Sequence, residues 1–165
     1  MTDRLAFAQA LGREAGAMAH RGFGRSAATL KGRHDILTAM DAEVERFIRR
    51  SIAERFPGDA VIGEEEGGAD GERLWIIDPI DGTANYARGI PHYCVSIGYL
   101  EHGVPTLGVI HDPSHDALYA AALGRGAWWI WDELPGDLRQ AVRRVVAHEA
   151  ERIARGTPPH QIQLD

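Results

Sequence analysis

Apolar side chains recur at helical spacing in two segments near the start of the chain. The first segment, residues 3 to about 20, carries them three or four positions apart and ends at Gly22. The second segment, residues 39–55, follows Thr38, which we expect to be its N-cap. The sequence therefore predicts two amphipathic helices. The polar loop between them carries Lys31, Arg33, His34 and Asp35.

Short apolar runs dominate the middle of the chain and predict strands. The first two runs are AVIG at 60–63 and LWII at 74–77. We expect Asp78-Pro79 to end the second strand, because proline cannot donate to a sheet ladder. Four further runs predict an antiparallel meander, at 92–100, 104–111, 117–122 and 127–131. Helices followed by mainly antiparallel strands favour the α+β class.

Acidic residues follow the two strands at 60–63 and 74–77. Glu64 comes directly after the first, and Asp78 and Asp81 come after the second. If both strands end at the same sheet edge, these carboxylates lie close together, repel one another and usually need a cation. Ligand sets made only of oxygen favour Mg²⁺ or Mn²⁺. The pattern therefore predicts a site for hard metal ions.

The segment Asp81-Gly82-Thr83-Ala84-Asn85 predicts a seat for phosphate. If a helix starts here, its first backbone amides are unsatisfied and point toward an anion. Glycine at position 82 would let the phosphate approach closely. The Thr83 hydroxyl can orient a water molecule while Glu64 accepts its proton, which together predict phosphate-ester hydrolysis.

Composition limits the alternatives. The 165 residues include 18 basic and 24 acidic side chains, a net charge of −6, so we expect no general attraction to nucleic acid or to anionic lipid. The single cysteine, Cys94, excludes an intramolecular disulfide and a multi-cysteine metal centre. The sequence shows neither a secretory signal nor an apolar stretch of about 18 residues. We therefore expect a globular, cytoplasmic protein.

Two stretches of the chain are similar to signatures of a known family. GEEEG at 63–67 and WIIDPIDGTANYARGIPHYCVSIG at 75–98 resemble the two N-terminal signatures of the inositol monophosphatase family, a family of Mg²⁺-dependent, lithium-sensitive phosphomonoesterases. GVIHDPSHDALYAAALGRGAW at 108–128 is similar to the strands that follow in that family. The resemblance implies an α+β fold, a layered sandwich of helices and antiparallel sheet like the N-terminal domain of these enzymes, here truncated.

The resemblance also implies roles for individual residues and Mg²⁺ as the cofactor. Glu64, Asp78 and the backbone carbonyl of Ile80 would hold a first metal ion, and Asp78 with Asp81 would hold a second. Asp81, Gly82 and Thr83 would bind the phosphate ester. Glu64, Thr83 and Asp41 would be catalytic, with Asp41 and Glu65 also supporting the metals from outside. Hydrolysis would be direct, without a phosphoenzyme.

The chain departs from the family in its length. Family members continue into a second half that supplies a further aspartate, in a Trp-Asp-x-Ala-Ala-Gly motif, and the residues that grip the substrate. Residues 131–136, WDELPG, match the Trp, Asp and Gly of that motif, so that Asp132 could replace the aspartate. A frameshift or fusion after Trp129 explains the same tail. We therefore divide the chain into 1–131, similar to the family, and 132–165, a divergent helix over 137–155 with a frayed tail.

Simpler interpretations compete with several of these motifs. An aspartyl-phosphate mechanism of the haloacid dehalogenase type is disfavoured, because that motif spaces its aspartates two apart and Asp78 and Asp81 are three apart. His111, Asp112, His115 and Asp116 indicate a turn between strands rather than a metal site. We expect Cys94 to be an inert, buried thiol.

Two functional hypotheses remain open at this point. The first is a Mg²⁺-dependent phosphatase acting on inositol monophosphate or a related sugar or polyol phosphate. The second is a catalytically inactive relative that retains only metal or phosphate binding, or acts through association. The predicted meander ends where the family continues into a second domain, so an open sheet edge and apolar surface should be exposed unless the helix over 137–155 or another subunit covers them. We therefore expect a homo-oligomer or poor solubility.

Overall fold

Two long helices and one mixed sheet make up the larger part of the computed structural model, which describes residues 2–24, 28–30 and 36–131. The elements, in chain order, are α1 Thr2–Gly22, β1 Ala28–Leu30, β2 Ile36–Thr38, α2 Ala39–Arg55, β3 Ala60–Gly63, β4 Gly67–Gly68, β5 Arg73–Asp81, α3 Thr83–Ala87, β6 Cys94–Glu101, β7 Val104–Asp112, β8 Ala117–Ala122 and β9 Gly126–Trp131. The two predicted helices and the meander are therefore confirmed.

The main sheet has seven strands in the order β4-β3-β5-β6-β7-β8-β9. Strands β3 and β5 pair in parallel, whereas the pairs β5–β6, β6–β7 and β7–β8 are antiparallel. Strands β1 and β2 form a separate antiparallel hairpin that the sequence pattern did not predict. The α+β class is confirmed, and the parallel pairing brings the residue after β3 beside the residue after Ile77 of β5.

One face of the sheet packs against α1 and α2. Alternate residues of the central strands point to this side, as the two-residue period of a strand requires. Trp75 and Ile77 of β5, with Ile97 of β6 and Val109 of β7, are buried there with the apolar stripes of both helices. Burial of each such side chain contributes about 1.5–3 kcal/mol, so this layer fixes the sheet relative to α2.

Strand β5 does not end where the sequence predicted. It continues through Asp78 and Pro79 to Asp81, and its register with β6 shifts between the pair Asp78 and Ser96 and the pair Asp81 and Cys94. Three steps along β5 match two along β6, so the strand carries an irregularity of the β-bulge type. A bulge takes residues out of the regular ladder, and proline is tolerated at such a position. The prediction that Pro79 ends the strand is therefore wrong.

Several expectations lie outside the described residues. They concern the loop residues Lys31, Arg33, His34 and Asp35, the Thr38 side chain as an N-cap, and everything from Asp132 onward, including the helix over 137–155. The division of the chain at 131 and 132 stays a prediction. Within the described ranges, no helix combines the length and hydrophobicity of a membrane span.

Candidate functional site

The parallel pairing of β3 and β5 places Glu64 beside Asp78. Gly63 pairs with Ile77, so the next residue of each strand lies at the same sheet edge. The Glu64 amide donates to the Ile77 carbonyl at 3.2 Å, which extends the pairing one residue past β3. The juxtaposition of these two carboxylates at one edge is therefore as the sequence predicted.

The surroundings of Asp78 disfavour its ionised form. Partial burial, the negative charge of Glu64, a hydrogen bond with Glu64 and the charge of Asp81 together raise the pKa of the Asp78 carboxyl to about 7. The Ile80 amide donates to Asp78 Oδ1 at 3.1 Å and acts in the opposite direction. The three carboxylates thus interact electrostatically as one cluster.

The irregularity in β5 brings Asp81 opposite Cys94. The Cys94 thiol lies 3.7 Å from Asp81 Oδ2, and burial together with the Asp81 charge raises the pKa of this thiol to about 12. A thiol with this pKa carries almost no thiolate at neutral pH and is a poor nucleophile. Cys94 is half-buried rather than fully buried, and its high pKa supports the expected inertness.

Thr83 connects the sheet edge to helix α2. Its hydroxyl lies 2.9 Å from the Ile80 carbonyl and 3.1 Å from Asp41 Oδ1, within hydrogen-bond distance of both acceptors. Asp41 lies in the first turn of α2, and only 1% of its surface is exposed to solvent. A hydroxyl that donates to one of these oxygens keeps its lone pairs for a further partner such as water. The structure therefore brings Thr83 and Asp41 together.

The turn before α3 requires glycine at position 82. Gly82 has a φ of 95°, and a Cβ there would lie 2.9 Å from the His92 carbonyl oxygen. The Asn85 side chain donates to the same carbonyl at 2.9 Å. Tyr86 anchors the helix from its other side, because its hydroxyl donates to the Ala19 carbonyl of α1 at 2.6 Å. The predicted helix start is present, with Thr83 as its first residue.

Glu45 is a residue that the sequence reasoning missed. Its fully buried carboxylate accepts the amides of Glu65 and Glu66 at 2.8 and 3.0 Å, and Arg49 Nε donates to it at 2.8 Å. The available signal was an acidic residue within the buried stripe of α2, between Asp41 and Ile48. The acidic turn after β3 is therefore bound to α2 through its backbone.

The segment from Asp112 to Asp116 forms the turn between β7 and β8, as expected. Asp112 Oδ1 accepts the amides of Ser114 and His115 at 2.9 and 3.2 Å, and Asp112 Oδ2 lies 2.8 Å from His115 Nδ1. Such hydrogen bonds are typical of turns initiated by aspartate. His111 is buried instead, and its ring packs against Gly16 of α1.

The donor set at the sheet edge is made of oxygen atoms alone. Glu64, Asp78 and Asp81 supply carboxylates, and the Ile80 carbonyl lies between the two aspartates in the chain. Hard divalent cations prefer such ligands, and a cation would relieve the repulsion that raises the pKa of Asp78. Within residues 2–24, 28–30 and 36–131, no three His, Cys, Asp or Glu side chains form a ready-made metal cluster.

Comparison with known proteins gives a consistent set of relatives. The sequence profile of the inositol monophosphatase family matches residues 1–161. A Thermotoga maritima protein named fructose-1,6-bisphosphatase/inositol-1-monophosphatase is 40% identical over 129 residues, which are 77% of this chain and 50% of that protein. A protein named Nus factor SuhB from Xylella fastidiosa is 44% identical over 99 residues, which are 59% of this chain and 36% of that protein.

The fold is shared with solved structures of the same group. The structure of the Thermotoga maritima IMPase superposes with a TM-score of 0.75 at 39% sequence identity and covers 77% of this chain and 51% of its own. The chain spans half or less of the length of these two curated relatives. The profile match and these identities show that the chain belongs to the inositol monophosphatase family.

Proposed function

We propose that the chain hydrolyses a phosphate monoester, inositol monophosphate or a related sugar or polyol phosphate, in a Mg²⁺-dependent reaction. The observation that carries the proposal is the meeting of Glu64, directly after β3, with Asp78 of β5, within electrostatic reach of Asp81. Such a cluster repels a phosphate anion unless cations neutralise it. Membership of a family whose members include phosphatases supports the same reaction class.

The residues present fit a pair of hard cations. Glu64, Asp78 and the Ile80 carbonyl would hold one Mg²⁺, and Asp78 with Asp81 would hold the other. Bound Mg²⁺ would neutralise the carboxylates, polarise the phosphate and lower the pKa of the attacking water. Glu65 would support this arrangement from the turn whose backbone Glu45 holds.

Thr83, Asp41 and Glu64 are the catalytic residues of the proposal. The Thr83 hydroxyl can donate to Asp41 and accept a hydrogen bond from water, which orients a water lone pair toward the phosphorus. Glu64 accepts the proton that this water loses. The water oxygen forms a bond to phosphorus while the ester P–O bond breaks, and the leaving alkoxide takes up a proton from solvent. No phosphoenzyme forms.

The phosphate would bind at the turn before α3, beside Asp81. The first amides of a helix have no acceptor within it, so those of Gly82 and Thr83 are suited to phosphate oxygens. The absence of a side chain at Gly82 permits close approach.

The proposal is tested by phosphate release from inositol-1-phosphate and a panel of sugar and polyol phosphates. With Mg²⁺ the wild-type chain should release phosphate, and Asp81→Asn should lower the rate by at least about 100-fold, because a metal ligand loses its charge. Asp70→Asn is the matched control, an exposed aspartate in the loop before β5. The proposal fails if wild-type chain releases no more phosphate than Asp81→Asn.

A catalytically silent role is the second candidate, and the partial match to the relatives is the observation behind it. The chain covers 50% and 36% of the two curated relatives, so residues that these proteins carry elsewhere are outside its match. In this case the chain would bind Mg²⁺ or phosphate, or associate with a partner, without turnover. Calorimetric binding of Mg²⁺ without phosphate release from any member of the panel would support this alternative.

A further inference from the structure

Glu45 is a carboxylate in the protein core that binds the backbone of a single turn. It accepts the amides of Glu65 and Glu66, both in the turn that follows Glu64. A buried carboxylate is costly unless it is paired and hydrogen-bonded. Arg49, one helical turn further along α2, supplies the countercharge at 2.8 Å.

Arg49 also holds both sides of the same turn. Its guanidinium contacts the Val61 carbonyl of β3 at 3.4 Å and the Gly67 carbonyl of β4. Its Nε lies 3.8 Å from Glu66 Oε2. Glu45 and Arg49 therefore bind the turn's amides and its flanking carbonyls from a single helix.

Gly63 shows how closely Glu45 approaches the strand end. A Cβ at this position would lie 2.3 Å from Glu45 Oε1, so only glycine fits between β3 and the carboxylate. The Glu64 amide is held on the opposite side by the Ile77 carbonyl. The backbone is therefore held at Gly63, at Glu64 and at Glu65.

We propose that Glu45, paired with Arg49, is a positioning residue that holds Glu64 against Asp78 in the proposed metal site. Two neighbouring carboxylates repel, and an untethered turn would move Glu64 away from Asp78. Glu45 and Arg49, together called the clamp, act on the backbone, so Glu64 keeps its place before any cation binds. This inference rests on the proposed function, because it assigns the clamp a purpose in metal binding.

The test uses the 165-residue chain and two variants of the clamp. Glu45→Gln keeps the shape of the side chain but loses its negative charge and one acceptor oxygen. Arg49→Lys keeps the positive charge but loses the planar guanidinium group with its several donors. Two properties are measured, the hydrogen exchange of the Glu65 and Glu66 amides and the affinity for Mn²⁺ by electron paramagnetic resonance. If Glu45→Gln does not fold, Arg49→Lys still provides both measurements.

Asp59→Asn is the control for lost stability. Asp59 is also a buried carboxylate, 2.9 Å from Arg4 and 3.2 Å from Arg73, but it precedes β3 and lies at the other end of the strand from Glu64. The variant should destabilise the fold without changing the Mn²⁺ site. We expect both clamp variants to exchange the two amides at least about tenfold faster and to bind Mn²⁺ about 10–100-fold more weakly.

Unchanged amide exchange in both clamp variants would overturn the inference, and so would an equal loss of Mn²⁺ affinity in Asp59→Asn. Failure of the proposed phosphatase function and failure of the clamp give different results. If wild-type chain binds no Mn²⁺ and releases no phosphate, the proposed function fails. Faster exchange of the Glu65 and Glu66 amides would then still establish the clamp, and wild-type exchange would refute it.

Discussion

At the scale of single residues, burial and the charge of Glu64 both disfavour ionisation of Asp78. Without a cation, the ionised Asp78 carboxylate lowers the free energy of unfolding, because this charge is better solvated in the unfolded chain. Functional sites often carry such unfavourable charges, which ligand binding relieves. The site should therefore be detectable through stability as well as through activity.

Asp78→Asn should stabilise the metal-free protein. The raised pKa means that the folded chain binds more protons than the unfolded chain between the ordinary pKa of 3.8 and about 7, so wild-type stability falls as pH rises through this window. The gain at pH 8 is of the order of 1 kcal/mol after discounting for solvent screening, or about 2–4 °C in Tm.

The Tm values of wild-type chain and Asp78→Asn are compared by thermal melting, first with a chelator and then with Mg²⁺. Mg²⁺ should raise the Tm of wild-type chain and leave that of Asp78→Asn nearly unchanged, because a ligand that binds the folded state stabilises it. Asp70→Asn should behave as wild type. A lower Tm for Asp78→Asn in chelator, or an equal response of both chains to Mg²⁺, would contradict this explanation.

His111 should make the fold sensitive to acid. Burial and the charge of Arg13 lower the pKa of this imidazole, although Asp116 at 3.7 Å acts in the opposite direction. The unfolded chain then binds the proton more readily, so stability is full above the ordinary pKa of 6.5 and is lost as pH falls through the lower folded value. His111→Gln, which does not titrate, should lose less stability over this range.

Urea unfolding of both chains at pH 7.5, 6.5 and 5.5 measures the difference. The free energy of unfolding should decrease more steeply with acidity in wild-type chain than in His111→Gln. An identical pH dependence would show that the buried imidazole does not control the response.

At the scale of elements, the short helix α3 depends on the turn that starts it. Thr83 reaches Asp41 only if β5 turns sharply at Gly82, and Tyr86 then fixes the helix on α1. The bond from Tyr86 to Ala19 joins residues 67 positions apart in the chain. Local sequence and tertiary packing therefore both determine where the Thr83 hydroxyl lies.

Gly82→Ala should cost much more stability than Gly89→Ala. Both glycines have positive φ, 95° and 71°, but a Cβ at Gly82 meets the His92 carbonyl at 2.9 Å, whereas nothing lies within 4 Å of one at Gly89. We expect a loss of about 1–2 kcal/mol for Gly89→Ala and roughly 3 kcal/mol or more for Gly82→Ala, where the steric conflict adds to the strain. Chemical denaturation measures both, and equal losses would refute the steric argument.

The sequence predicted the elements of this region better than their connections. Glu64 and Asp78 were expected at one edge because each follows a buried strand, and that local signal was sufficient. Pro79 was misjudged, because an irregularity in pairing depends on the partner strand β6 and has no local pattern. Glu45 was missed, because its two acceptor bonds span 20 and 21 residues and exist only after β3 packs on α2.

At the scale of the whole molecule, the sheet face away from α1 and α2 presents apolar side chains to solvent. Ile110 and Tyr119 are direct cross-strand partners, and each is 44% exposed. Tyr119 stacks on Trp129 with ring centroids 5.9 Å apart, and Ile76 is exposed on β5. Contiguous apolar surface of this kind tends to be buried by association.

Self-association of the chain is therefore expected in solution, with a second copy covering this face. Sedimentation velocity should show a concentration-dependent dimer or larger species for wild-type chain. The double variant Ile110→Ser, Tyr119→Ser should shift the distribution toward monomer. Leu123→Ser, which changes an exposed leucine in the turn after β8, should not. A monodisperse wild-type monomer at all concentrations would contradict the expectation.

A titration of phosphate release with Mg²⁺ measures directly whether Glu64, Asp78 and Asp81 form a Mg²⁺-dependent phosphatase site. In chelator, no phosphate should be released from inositol-1-phosphate or the sugar-phosphate panel. Mg²⁺ should activate wild-type chain and Asp70→Asn saturably, and Asp81→Asn should lose at least about 100-fold in rate. Wild-type release that is no higher than that of Asp81→Asn at every Mg²⁺ concentration would contradict this assignment.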